Sequence, residues 1–374
     1  MKKALIHDWY YISGGAEKVV HSINNIWNDL EPFALIDFLD KNDRDFILNG
    51  KSVKTSFIQK LPTSKSNHRK FIQLFPMAIE QFDLREYDLV LSSSAAVAKG
   101  VLTHNNQLHI SYCHSPMRYA WDLYHQYLSD ANIRGLKGLY AKYVLHKIRL
   151  WDVISSNRVD FFVANSKYIA NRIRKIYNRD STVIYPPVEV DKFDLVNKKE
   201  DFYFTASRMV PYKKIELIVR AFNNMPNKRL IVSGDGPEYS KIQNIAKPNI
   251  KLLGFADKKE LKWHLENAKA FVFAAEEDFG IIPVEAQACG TPVIGFGRGG
   301  ILETVVDGKT GVLFKDQTEK AIVEATNHFE TREFVPEEIR SHALSFSKDR
   351  FEKEFQYFVE EKHEQFKGRR SVIT

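Results

Sequence analysis

Residues 268–296 read AKAFVFAAEEDFGIIPVEAQACGTPVIGF. The first eight form a nearly continuous apolar run of strand length, and the last six form another. Between them Phe279-Gly280 leads into a segment with helical character that carries Glu285, Ala286 and Ala288. Apolar strands alternating with helices are the pattern of a parallel sheet covered on both faces. Ligands of such sheets bind beyond the carboxyl ends of the strands. This strand delivers Glu276, Glu277 and Asp278 to that position.

The same rhythm runs through the chain in two arrays. The first predicts strands at KKALIHD, YDLVLSS (87–93), LHISYCH (108–114) and VDFFVANS (159–166), with helical patterns between them. After the first strand a Gly-Gly turn opens a helix whose Val19, Ile23, Ile26 and Trp27 share a face. VIYPPVEVDKFD (183–194) interrupts the array, because a Pro-Pro pair disfavours helix on both sides and marks a connection. A second array follows, with strands at DFYFTAS, KRLIVSG, IKLLGF, AKAFVFAA, TPVIGF and GVLF. The fold expected is α/β: two doubly wound, Rossmann-like domains facing a central cleft, 1–184 and 185–345. A C-terminal helical segment, 346–374, should carry Phe351, Phe355 and Phe358 at helical spacing.

Length and composition agree with this. A chain of 374 residues fits two domains with cores of their own, and 44% hydrophobic with 27% charged residues excludes disorder. Cys113 and Cys289 lie far apart in apolar runs, which suits a reducing compartment better than a disulfide framework. The N-terminus reaches His7 and Asp8 too early for a signal peptide, and no apolar run approaches the ~20 residues of a membrane span. A cytoplasmic location is the expectation. The net charge of +7 is concentrated in 131–180, where eleven Lys/Arg face three Asp, a local balance of +8. In GLYAKYVLHKIRLWDVI, Tyr140, Val144, Ile148 and Trp151 share one face with basic residues beside it. Such a helix suits either an anionic membrane surface or a core position with a solvated basic side.

Four strand ends carry chemistry. Gly14-Gly15 opens the first helix, where backbone N–H groups can face an anion; neither a dinucleotide fingerprint nor a P-loop lysine accompanies it. In SYCHSPMRYAWD, His114 ends a strand, with Arg118, Tyr119 and Asp122 close behind. In SRMVPYKK, Arg208 and Lys213 stand five apart across a proline turn, able to meet one diphosphate as fork and point charge. In the opening stretch, the amides after Phe279 and Gly280, from Ile281 onward, could hold a phosphate. Glu277 before the helix and Glu285 within it could then accept bonds from hydroxyls on either side. GDGP (234–237), beginning at Gly234, reads as a turn near a nucleotide, and Asp43-Arg44-Asp45 as a solvated turn. No His/Cys/Asp cluster has metal-ligand spacing, so no metal is expected.

Together GGAEK, YCHSPMRYAWD, SRMVPYKK, SGDGP, LLGF and EEDFGIIPVEAQACGTPVIG make the chain resemble retaining glycosyltransferases of family 4, with the GT-B fold. The last segment matches that family's E-x7-E motif. GGAEK with YCHSPMRYAWD resembles the bacterial mannosyltransferases that build O-antigen and other surface polysaccharides. The resemblance implies that Glu277 binds the donor sugar and Glu285 the ribose. It implies that Arg208 and Lys213 neutralise the leaving diphosphate, that His114 contacts the sugar near the reacting carbon, and that Gly15 admits the phosphates. It implies a nucleotide-sugar donor, GDP-mannose first, a lipid-linked glycan acceptor at the inner membrane face, and no cofactor or metal. Ser207 stands where the family commonly has glycine. A UDP-sugar donor or a nucleotide-sugar 2-epimerase are the alternatives; nucleic acid is not an expected partner, since no recognition module accompanies the basic charge.

Overall fold

The computed structural model describes residues 1–12, 14–130 and 135–371, and separates into two compact units. Unit 1 comprises 1–185 together with 351–374, and unit 2 comprises 186–350. In unit 1 the strands are β1 (Lys3–His7), β2 (Leu30–Ala34), β3 (Lys54–Thr55), β4 (Leu89–Ser94), β5 (Leu108–Cys113), β6 (Phe161–Ala164) and β7 (Ser181–Val183). They form one parallel sheet in the order β3-β2-β1-β4-β5-β6-β7. Unit 2 holds β8 (Tyr203–Ala206), β9 (Leu230–Ser233), β10 (Ile250–Gly254), β11 (Ala270–Phe273), β12 (Val293–Phe296) and β13 (Gly311–Phe314). Their order is β10-β9-β8-β11-β12-β13, again parallel.

These are two Rossmann-like doubly wound sheets, as the apolar strand runs require. Winding reverses between β1 and β4 in unit 1 and between β8 and β11 in unit 2. Those two points are where such sheets open a crevice at the carboxyl ends of their strands.

Four helices bear on function: α1 (Gly15–Ile26), α2 (Gly135–Ser156), α3 (Ile281–Ala288) and α4 (Lys348–Ser371). The α1 side chains Val19, Val20 and Ile23 are fully buried against unit 1's sheet. α4 follows unit 2 in sequence but packs in the core of unit 1. Its Phe351 and Phe355 rings stack at 5.5 Å and both meet Tyr112 on β5, at 5.7 and 6.1 Å. The expected break at 184/185 and the observed one at 185/186 lie one residue apart. The segment expected as a piece of its own divides after Arg350, the remainder joining unit 1.

Three strands escape a reading by apolar runs. β3 and β7 are short and polar, and β2 contains Glu31 and Pro32. The aspartates at 43 and 45 do not form a solvated turn. They lie in a helix, Lys41–Leu48, with Asp40 capping Asp43 N and Arg44 paired to Asp37 at 2.7 Å.

The basic segment is thinner than its count. Arg134 lies outside the described residues. Arg158 pairs with Glu80, Arg172 with Asp122, and Arg179 donates to the carbonyls of Ser156, Val159 and Asp160. On α2 the expected apolar face is core: Val144 and Ile148 are buried and Trp151 is half-buried, donating to Glu80. Only Tyr140 of that set is exposed. It joins a different stripe of exposed apolar side chains, Leu136, Leu139, Tyr143, Leu150 and Ile154, with Lys137, Lys142 and Lys147 exposed among them. Among the described residues no helix is long and apolar enough to cross a membrane.

Candidate active site

In unit 2 the site is built at the winding reversal. β8 ends at Ala206 and hands the chain to Ser207-Arg208, after which a short 3-10 turn, Pro211–Lys213, brings Lys213 back. β11, the neighbouring strand, ends just before Glu276 and Glu277. Lys213 Nζ and Glu277 Oε1 form an ion pair, with each side chain about one-fifth exposed. Arg208 is exposed and its guanidinium has no partner among the described residues. An exposed guanidinium on the loop that also carries an ammonium paired to a carboxylate is an arrangement able to take a polyanion.

The loops around this pair are held by backbone contacts that only glycine permits. Gly234 has φ +137°, and a Cβ there would lie 1.9 Å from the Ser207 carbonyl oxygen. The GDGP turn thus packs directly onto the arginine loop, with Ser207 N donating to Ser233 O and Met209 N to Asp235 O. Gly299 and Gly300 do the same for Glu277: Gly300 N donates to Glu277 O at 2.8 Å, and a Cβ on Gly300 would lie 2.4 Å from Phe279 Cα. The pair at 299–300 was not singled out by sequence reasoning, although GRGG directly follows a strand.

α3 starts at Ile281, after Gly280 in the left-handed region at φ +87°. Its first amides are unpaired within the helix and carry the positive end of its dipole. Phe279 turns its ring into the core against Phe346 at 5.5 Å, so it offers a ligand only backbone. Glu285 lies one turn into α3 and is more than nine-tenths buried. Arg208, Lys213, Gly234, Glu277, Phe279, Gly280, Ile281 and Glu285 therefore all belong to unit 2, on the loops and helix at one end of its sheet.

His114, Gly14 and Gly15 belong to unit 1, at the ends of β5 and β1. Gly14 precedes α1, and its N–H donates to Glu17 Oε2 at 3.0 Å, which closes the first turn. His114 is fixed on three sides. Its N–H donates to Ser94 O, its carbonyl accepts from Asn165 Nδ2, and its Nε2 meets Ser93 Oγ at 2.8 Å. Burial, with the charge of His7 beside it, pushes its pKa down to about 3.

Sequence reasoning missed three groups behind His114. Ser93 Oγ and its carbonyl each lie 3.1 Å from His7 Nδ1, and His7 Nε2 lies 3.4 Å from Glu17 Oε1. Burial favours the neutral ring of His7, but the hydrogen bond and charge of Glu17 outweigh it, and the pKa stays above the usual histidine range. Asp8 is spent internally: its carboxylate accepts four N–H groups, from Ala95 to Ala98, at 2.6–2.9 Å. Asp122 and Tyr119 also have structural partners, Arg172 and the Met117 sulfur. Among the described residues no three His, Cys, Asp or Glu side chains converge as metal ligands would.

Two parallel-sheet Rossmann-like units of this kind are the GT-B fold, and solved structures match it over the length of the chain. Anabaena Alr3699/HepE, solved in complex with UDP and with UDP-glucose, aligns with TM-scores of 0.70 and 0.69 at 17% identity. Each alignment covers 96% of this chain and 99–100% of the other. The apo lipopolysaccharide outer core galactosyltransferase WaaB aligns with TM-score 0.66, also at 17% identity, over 97% of this chain and all of the other. Residues 188–345 match the family described as Glycosyl transferases group 1. By sequence the chain is 30% identical over 233 residues to the Uncharacterized glycosyltransferase MJ1178 of Methanocaldococcus jannaschii, covering 59% of this chain and 65% of that protein. It is 30% identical over 187 residues to the D-inositol 3-phosphate glycosyltransferase of Mycobacteroides abscessus, covering 42% and 41%. The chain thus aligns with less than two-thirds of either relative's length.

Proposed function

We propose that this chain is a retaining glycosyltransferase that moves a hexosyl group from a nucleotide-sugar to a lipid-linked glycan. The observation carrying this is the ion pair of Glu277 with Lys213, on the loop that follows the exposed Arg208, at the winding reversal of a unit that matches the Glycosyl transferases group 1 family. Arg208 and Lys213 take the diphosphate and neutralise the charge that grows as it leaves. The first amides of α3 add backbone donors without a proton to lose. Once Lys213 turns to the phosphates, Glu277 is released to accept hydrogen bonds from the hydroxyls of the sugar, and Glu285 accepts those from the ribose. His114 contacts the sugar, and the departing phosphate takes the acceptor's proton. No metal ion enters this scheme.

GDP-mannose is the donor favoured by GGAEK and YCHSPMRYAWD. A UDP-sugar is the second reading, favoured by the UDP and UDP-glucose complexes of the Anabaena protein. The exposed apolar stripe of α2, flanked by lysines, supports peripheral binding to an anionic membrane, where a lipid-linked acceptor resides. The test is nucleotide release from GDP-mannose, UDP-glucose and UDP-galactose, each with bacterial lipid extract as acceptor source. Acceptor-stimulated release from one donor by the wild-type chain, lost in Lys213→Ala, is the expected result. No release from any donor overturns the proposal.

A further inference from the structure

The buried chain Glu17–His7–Ser93–His114 joins the first turn of α1 to the ends of β1, β4 and β5. Which way its hydrogens run follows from what each partner can do. The Ser93 carbonyl can only accept, so His7 Nδ1, 3.1 Å away, carries a proton. The Glu17 carboxylate also only accepts, so His7 Nε2 carries a second one, and the ring is an imidazolium. With Nδ1–H already donating toward Ser93, the Ser93 hydroxyl cannot give its hydrogen to His7. Its remaining partner is His114 Nε2, at 2.8 Å, which must accept. His114 is then neutral with its proton on Nδ1. That nitrogen has no partner among the described residues.

We propose that Glu17, His7 and Ser93 are positioning residues that lock His114 as the neutral Nδ1–H tautomer, making it a fixed hydrogen-bond donor toward a substrate oxygen. His114 is therefore neither a general base nor a proton source, and no proton crosses the relay during transfer. The groups facing His7 are consistent with a retained charge: Glu17 from α1, Asp8 beside it, the Tyr10 ring at 4.9 Å, and neutral His114 beyond Ser93. The cation of His7 in turn opposes protonation of His114. The lock also explains consecutive serines at the end of β4. Neighbouring strand residues face opposite sides of a sheet. Ser92 accordingly meets His109 Nε2 at 2.9 Å, while Ser93 meets His114.

The relay rests on the proposed transferase reading only for what His114 touches; the tautomer is measurable in the free protein. Long-range proton–nitrogen correlation spectra of histidine-labelled protein resolve the two tautomers and the imidazolium. Signals are assigned by their loss in His114→Gln and His7→Gln. The expected result is a His114 ring that stays neutral and Nδ1-protonated from about pH 5 to about pH 8, with His7 holding both ring protons to a higher pH than an ordinary histidine. Ser93→Ala should release the lock and bring in the Nε2–H tautomer, with kcat/KM for the donor down about tenfold. Glu17→Gln should return His7 to a singly protonated ring. A wild-type His114 that carries its proton on Nε2, or that titrates between about pH 5 and about pH 8, overturns the relay. If the spectra agree but no nucleotide-sugar is turned over, the transferase reading fails and the relay stands.

Discussion

Lys213 and Glu277 neutralise each other, so in the proposed mechanism a diphosphate would compete for the ammonium and release the carboxylate to a sugar. Two substitutions separate this site from the fold. Lys213→Ala should lower transfer about a hundredfold or more, since charge stabilisation in the transition state is lost, and Glu285→Ala should lower kcat/KM about as far by removing the hold on the ribose. Circular dichroism should report an unchanged fold in both; near wild-type turnover in either would remove that residue from the site. Gly234→Ala tests the scaffold under it. The forbidden backbone and the 1.9 Å approach to Ser207 O should cost about 2 kcal/mol or more and displace the arginine loop. A denaturant midpoint equal to wild type would contradict that packing. Arg208, Gly234 and Glu277 could be picked out because each follows closely on a recognisable apolar strand, and Lys213 and Glu285 by their fixed spacing from them. His7, Glu17 and Ser93 were not, because they act only through one another, and no spacing along the chain announces three residues that meet across two strands and a helix turn.

At the scale of elements, α2 shows what periodicity alone leaves open. Its sequence contains two apolar stripes, and a pattern cannot say which one the sheet takes. Val144 and Ile148 went to the core, leaving Leu136, Leu139, Tyr140, Tyr143, Leu150 and Ile154 exposed. An exposed stripe among lysines should bind anionic vesicles. Replacing Leu139, Tyr140 and Tyr143 together by serine should weaken sedimentation with phosphatidylglycerol vesicles at least about tenfold, by loss of buried apolar area. Nucleotide release in solution should be unaffected. Vesicle binding equal to wild type would free this helix from any membrane role. Strands β2, β3 and β7 were illegible for a related reason: position in the sheet, rather than composition, makes them strands.

For the molecule as a whole, the crossing of α4 back to unit 1 ties the C-terminus to the N-terminal sheet. Phe355→Ala should cost about 3–5 kcal/mol. The loss belongs to unit 1, where Phe355 packs with Tyr112 and Phe351, and calorimetry should leave the unfolding of unit 2 unmoved. Acid should also weaken unit 1. Burial pushes His109 down to about 4, and His114 lies lower still, at about 3. Both bind protons more readily when unfolded, so stability falls as pH drops below about 6.5, by about 2 kcal/mol for each group between pH 7 and pH 5. His7 has the opposite sign: its contribution is complete below its unfolded value and fades as pH rises through the raised folded one. A flat stability profile over that window would contradict the burial of both rings. The overall architecture was readable from the two strand arrays and the Pro-Pro break between them; the return of α4 was not, because helical spacing shows a buried face without naming the surface that buries it.

In the proposed function, unit 2 holds a nucleoside diphosphate between Arg208, Lys213 and Glu285. The direct test is thermal unfolding with GDP, UDP and ADP, without added metal, on the wild-type chain and on Glu285→Ala. A nucleotide at a hundredfold over its dissociation constant adds about 2.7 kcal/mol of stability. This shift is expected for GDP or for UDP, and should be lost in Glu285→Ala. No shift with any nucleotide, or a shift that Glu285→Ala leaves intact, would contradict it.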